Sequence, residues 1–240
     1  MANKTRKIDP VTLEVVRAGL ASIISEMSIT LKRTSYSTIL REINDFSCVL
    51  FDAKGRLLAQ AEGIPIFNGS MNFVIDAVIA KFPLAQMKPG DIYLSNDPYT
   101  AGGTHKNDIN VVYPIFWEGA LMVLAANKAH HLDIGGKDAG SWSADARNTF
   151  QEGICLPVVK LADQGVMNDT IVEILMANLR TPELSRGDFA AQIASLKTAE
   201  LRVHDWLRRH GADLLKDSVD ELLDHGEKLV RAAIEKIPAG

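Results

Sequence analysis

Two apolar runs, Ile109 to Phe116 and Leu121 to Ala126, are separated by a turn at Glu118-Gly119, and each is bordered by a polar, glycine-rich segment. Apolar runs of this length around a glycine-containing turn read as an antiparallel hairpin. If they pair, the start of the first strand lies beside the end of the second. The segment leading in is Asn96-Asp97-Pro98-Tyr99-Thr100-Ala101-Gly102-Gly103-Thr104-His105-Lys106-Asn107-Asp108, and the segment leading out carries Ala129-His130-His131-Leu132-Asp133. His105 and Asp108 then face His130 and His131 across one end of the hairpin. Neighbouring residues of a strand point to opposite faces. At most one of the paired histidines therefore joins His105 and Asp108 if the strand runs on, and the other is left for proton transfer or substrate contact.

Two imidazoles and a carboxylate are a usual donor set for a divalent metal with an open position. Such a metal acidifies a bound water or polarises a substrate oxygen. The same residues also suit a plainer role, capping turns through Asx hydrogen bonds, and the residues alone leave both readings open. Asp45 closes a second polar cluster, Arg41-Glu42-Ile43-Asn44-Asp45. It reads as a further ligand, as an orienter of a ligand histidine, or as part of a polar loop after a helix cap. His204, His210 and His225 stand beside charged residues in helical segments and are expected to face solvent. Cys48 and Cys155 fall in apolar stretches and are expected to be buried small hydrophobes.

The rest of the chain has helices at both ends and strands in the middle. Asp9-Pro10 is a cap followed by proline at the first helical position. Leu13, Val16, Leu20, Ile23, Ile24, Met27 and Leu31 then keep helical spacing, predicting a long helix to about residue 33. Residues 46–52 and 57–61 read as a hairpin, 70–81 as a helix, 92–94 as a short strand and 130–153 as a long irregular loop of the kind that often carries function. Helices follow over 170–179, 184–210 and 212–237, with a break at Gly211. The fold class is α+β: a central mixed or antiparallel sheet with a long N-terminal helix and a helical C-terminal region. Residues 1–165 form the metal-site α+β part and 166–240 a helical region packed on it as one continuous unit.

Composition excludes several functions. Lys and Arg number 26 against 30 Asp and Glu, a formal charge of −4, with no basic block, so a nucleic-acid groove is not expected. No run approaches the length of a membrane span, the polar N-terminus lacks a secretory leader, and the expected compartment is the cytoplasm. There is no GxxxxGK[ST] loop, no GxGxxG fingerprint and no GxSxG elbow. Any ATP-driven step needs another polypeptide.

Several segments in order, DPVTLEVV, REINDFSCVLFD, GDIYLSNDPYTAGGTHKND, AHHLDIGG, QEGICLPVVKL and ILMANLRTPELSRGDFAAQIA, resemble the hydantoinase B family. This family includes the B-type component of N-methylhydantoinase and the corresponding part of 5-oxoprolinase, and is related to subunits of acetone and acetophenone carboxylases. The resemblance implies a hetero-oligomer with a hydantoinase A-type component that uses ATP to phosphorylate the substrate oxygen, while the B-type component holds Zn, Mn or Fe and completes hydrolysis of a cyclic amide. It implies His105, Asp108 and His130 as ligands, Asp45 as an additional site residue and His131 as a candidate for proton transfer. ATP-dependent ketone carboxylation is the alternative reaction, and a non-catalytic scaffold fragment the alternative to both. The chain departs from the family where many relatives have histidines in a segment like HIPVHLGSM. Here Gly63 and Phe67 stand at those positions, and Lys106-Asn107 replaces the common Leu-Pro.

Overall fold

The structure, a computed structural model, describes residues 8–238. The polar start read above as lacking a leader lies largely outside the described residues. Helix α1 (Pro10–Thr34) begins where Asp9 accepts from the Val11 and Thr12 amides, with Pro10 in its first turn and Lys32 and Arg33 in its last. Cap, proline and basic end each favour a helix in these places. A short α2 (Thr38–Arg41) leads to strand β1 (Phe46–Asp52) and its hairpin partner β2 (Leu57–Gln60). Helix α3 (Pro65–Lys81) starts a turn earlier than its apolar spacing predicts, because Pro65 is suited to the first helical position. Strand β3 (Ile92–Ser95) precedes the long hairpin of β4 (Asp108–Trp117) and β5 (Ala120–His130). Strands β6 (Val159–Asp163) and β7 (Val166–Met167) follow, then helices α4 (Asp169–Ala177), α5 (Pro182–His210) and α6 (Ala212–Ile234).

One sheet of 7 strands runs β2-β1-β5-β4-β3-β6-β7. All its pairs are antiparallel, which decides between the mixed and antiparallel sheets expected. Both faces are covered, and period-2 alternation sorts the side chains between them. Ile109, Val111, Tyr113 and Ile115 of β4 join α1 and α5 in the larger core. Val112 of β4 with Leu124 and Ala126 of β5 join Met71, Val74 and Ile75 of α3 in the other. Burial on both sides explains why all seven residues of β1 are buried, including polar Ser47 and Asp52.

Strand β5 extends beyond its apolar run to His130, so the polar stretch Asn127-Lys128 lies inside the sheet. Asp108 and His130 are direct partners across the hairpin. Gly102 packs the loop before β4 onto α3. Its φ is +66°, and a side chain there would come within 2.4 Å of the Val74 amide nitrogen. Two expectations need correction. Cys155 is exposed, not buried. It lies in an extended segment in which Leu156 and Val158 point inward, so Cys155 is turned outward. His204 is half-buried, with Nε2 2.8 Å from the Phe116 carbonyl, because α5 crosses the sheet there.

Candidate metal centre

Three side chains converge where β4 begins and β5 ends. His105 Nε2 lies 3.0 Å from Asp108 Oδ1. His130 Nδ1 lies 3.2 Å from the same oxygen and 3.0 Å from His105 Nε2. His105 is supplied by the loop, Asp108 by the first residue of β4 and His130 by the last of β5. Asp108 is fully buried, His130 nearly so, and the His105 side chain is 38% exposed. The cluster is thus closed on the sheet side and open through His105. Burial pushes the Asp108 carboxyl up, but hydrogen bonds with His105 and His130 outweigh it and hold Asp108 below the ordinary carboxylate range. Thr104 donates to its second oxygen.

Asp45 flanks this group. Its carboxylate lies 3.9 Å from His130 Nδ1, outside hydrogen-bond range, and its carbonyl accepts from the His130 amide at 3.0 Å. Burial, together with the Asp108 charge and against the pull of His130, raises the Asp45 pKa. His131 takes the opposite face, as alternation requires. It is fully buried, its ring lies 4.4 Å from that of Phe189, and Nε2 is 2.9 Å from Gln192 Oε1. Burial lowers its pKa.

The trio fits a divalent cation. Three donor atoms within 3.2 Å of one another are spaced as donors are around one ion with bonds of about 2.1 Å. Two imidazole nitrogens and one carboxylate oxygen also leave coordination positions open. A cavity of 250 Å³ adjoins His105, lined by Asn107, Trp142, Ser143 and Glu152 among others. The Trp142 ring stands edge-on to His105 at 5.9 Å. A hollow of 280 Å³ between Arg56 and Leu215 lies at the other end of β1 and includes no such donor set.

Residue-by-residue reading missed Lys128. Its Nζ lies 2.6 Å from Ser70 Oγ and 3.2 Å from the Gly102 carbonyl. It also sits 5.6 Å over the Phe67 ring. Burial lowers its pKa to about 8. Lys128 shares the inward parity of Leu124, Ala126 and His130, and that was the signal available for finding it.

The sequence profile described as hydantoinase B/oxoprolinase matches residues 9–240. The chain belongs to the hydantoinase B/oxoprolinase family. It is 35% identical over 98% of its length to the B component of a putative D-/L-hydantoinase of Pseudomonas sp. (strain NS671), covering 40% of that protein. It is similar to the beta chain of the caprolactamase of Pseudomonas jessenii, 32% identical over 97% of this chain and 40% of that one. The crystal structure of the ATP-dependent caprolactamase from that organism superposes with a TM-score of 0.91 at 32% identity, over 98% of this chain and 40% of that chain. A nucleotide-free acetone carboxylase structure shares the fold, with a TM-score of 0.89 at 23% identity over 96% of this chain and 31% of that one. The hydantoinase B/oxoprolinase match thus spans about two fifths of the length of these bacterial relatives. Among the described residues no helix is long and apolar enough to cross a membrane.

Proposed function

We propose that this chain is the metal-holding part of an ATP-dependent cyclic amide hydrolase, with His105, Asp108 and His130 as the ligands. The observation that carries the reading is the convergence of these three donors beside an open cavity. The names of the relatives supply the reaction class: hydantoinase, caprolactamase and 5-oxoprolinase. A divalent cation, Zn, Mn or Fe, would supply Lewis acidity to a water or a substrate oxygen.

The chain's own residues do the rest. Asp108 is held as an anion and draws both imidazoles to one point. Asp45, beside His130 and outside hydrogen-bond range, is the carboxylate we assign to take up a proton. Trp142 shields the cavity side of His105, and the lining of that cavity orients the substrate ring. ATP is consumed by a hydantoinase A-type partner, a role supported by the ATP dependence in the name of the caprolactamase structure, and we assign the complex to the cytoplasm. A hetero-oligomer is supported by the names of the relatives, a B component of a hydantoinase and a beta chain of a caprolactamase. Leu229, Val230 and Ile234 of α6, each 59% exposed, give an apolar strip that a partner could cover. Ketone carboxylation is the second reading, favoured by the shared fold of acetone carboxylase. The higher identity to the caprolactamase places it second.

The test is to combine the chain with an ATP-binding partner and supply ATP with hydantoin, 5-oxoproline or caprolactam and, in parallel, with acetone or acetophenone plus bicarbonate. Ring-opened product that disappears in Asp108→Asn supports the reading. Carboxylated ketone without ring opening would replace it with the alternative.

A further inference from the structure

Behind the trio, on the α5 face of the sheet, lies a buried polar assembly that the proposed chemistry leaves unused. Its hydrogen bonds have only one consistent direction. Asn127 Nδ2 donates to the Gln192 carbonyl at 2.8 Å, which turns Asn127 Oδ1 toward Gln192 Nε2 at 3.0 Å. Gln192 Nε2 also donates to the Ile109 carbonyl at 3.0 Å. Gln192 Oε1 is therefore the atom that faces His131 Nε2, at 2.9 Å. A carbonyl oxygen can only accept, so His131 Nε2 carries the proton, and in the neutral ring the lone pair sits on Nδ1.

His131 Nδ1 is buried without a partner, and so are Asp188 Oδ2, Ser37 Oγ and Ser185 Oγ. These atoms gather around one stretch of α5. Asp188 and Gln192 are one turn apart on the same helix face, Ser185 is three residues before Asp188, and the His131 ring lies against Phe189. Asp188 Oδ1 accepts from the Tyr36 and Ser37 amides at 2.7 and 3.0 Å, so the backbone of Ser37 is held against the same carboxylate whose Oδ2 is left without a partner. Two of the four unpartnered atoms are acceptors and two are hydroxyls able to donate. One water has the two protons and two lone pairs that satisfy such a set, and buried waters usually sit where several protein groups lack partners.

We propose that an internal water joins His131 Nδ1 to Asp188 Oδ2, with Ser37 and Ser185 donating to it, and that Asp188 and Gln192 are thereby positioning residues for the trio. His131 transmits the hold. Its amide donates to the Asn107 carbonyl at 2.8 Å, and its carbonyl accepts from Asn107 Nδ2 at 3.0 Å. Asn107 precedes Asp108 and His131 follows His130, so one grip from α5 fixes both strand ends that carry donors. The positioning half rests on the metal reading above, whereas the water bridge does not.

Long-range ¹H–¹⁵N spectra of the full chain without metal read the His131 ring nitrogens directly. We expect a protonated Nε2 and an Nδ1 shifted by an accepted hydrogen bond. Asp188→Ala moves Nδ1 to the position of a bare acceptor and weakens Zn²⁺ binding by about 10–100-fold, the range for outer-shell partners. Asp188→Asn keeps an oxygen for the Tyr36 and Ser37 amides but puts a donor where the water needs an acceptor, so it moves Nδ1 and Zn²⁺ affinity in the same direction as Asp188→Ala. The Ser37→Ala, Ser185→Ala double variant shifts Nδ1 in the same direction as Asp188→Ala and serves if that variant does not fold. A proton on Nδ1 in the wild type, or an Nδ1 signal indifferent to these changes, overturns the bridge. A shifted Nδ1 with unchanged Zn²⁺ affinity overturns the positioning role alone. A chain that never binds Zn²⁺ yet shows the Asp188-dependent shift refutes the metal reading and leaves the bridge standing.

Discussion

Asp91 and Asp108 are both fully buried carboxylates on the same sheet, yet their surroundings differ in kind. Asp91, just ahead of β3, accepts from the Lys88 and Gln164 amides at 3.0 Å each, and from Tyr93 and Lys160 at 2.9 Å each. Its charge is neutralised and its lone pairs are occupied by groups that permanently carry protons. Asp108 instead meets two imidazoles whose nitrogens also meet each other. Those nitrogens can donate or present lone pairs. The first cluster is complete as folded and serves the joint between β3, β6 and the turn at Gln164. The second is arranged so that three lone pairs can converge once a cation enters. Burial and charge alone do not mark a site, whereas the proton inventory of the partners does.

The largest expected break in this comparison is Asp108→Asn. It should weaken Zn²⁺ or Mn²⁺ affinity by well over the roughly 100-fold typical of outer-shell changes, measured by calorimetric titration. Its metal-free stability should fall, since the depressed Asp108 pKa marks a carboxylate favoured in the folded state. The loss should be smaller than for Asp91→Ala, because the asparagine oxygen can still accept a hydrogen bond. Asp91→Ala should show the opposite balance. It strands two amides, a phenol and an ammonium, and should cost about 2–4 kcal/mol in urea unfolding with metal content unchanged. A variant of Asp91 that lost metal, or one of Asp108 that lost as much stability, would erase the distinction.

A smaller effect follows from acid titration. Burial raises the Asp91 pKa, but the Gln164 amide and Lys160 outweigh it and hold the folded pKa below the ordinary value. In the window between the folded and unfolded values the unfolded chain binds more protons, so stability rises with pH there. The contribution is present above the unfolded pKa and is lost as pH falls through the folded one. Asp91→Asn should flatten this acid limb in stability measured from pH 7 downward, and an unchanged limb would show that Asp91 contributes nothing to it.

The trio was legible because it depends on local arithmetic. The turn at Glu118-Gly119 sets which ends of β4 and β5 meet, and alternation separates His130 from His131. Strand β6 was not legible, because Val159–Asp163 pairs with β3, more than sixty residues earlier, and nothing local announces that pairing. The partners of His131 were hidden for a related reason. Asp188 and Gln192 on a long helix look like a solvated face until the helix is laid on the sheet. Cys155 shows the opposite hazard, an apolar neighbourhood in the chain that is nonetheless turned outward.

Elemental analysis of the purified chain, wild type beside His105→Ala, asks whether the trio holds a metal at all. Near-stoichiometric Zn, Mn or Fe is expected in the wild type and its loss in the variant, with both proteins folded. Equal metal in the two, or none in the wild type after exposure to each ion, would contradict a metal centre at His105, Asp108 and His130.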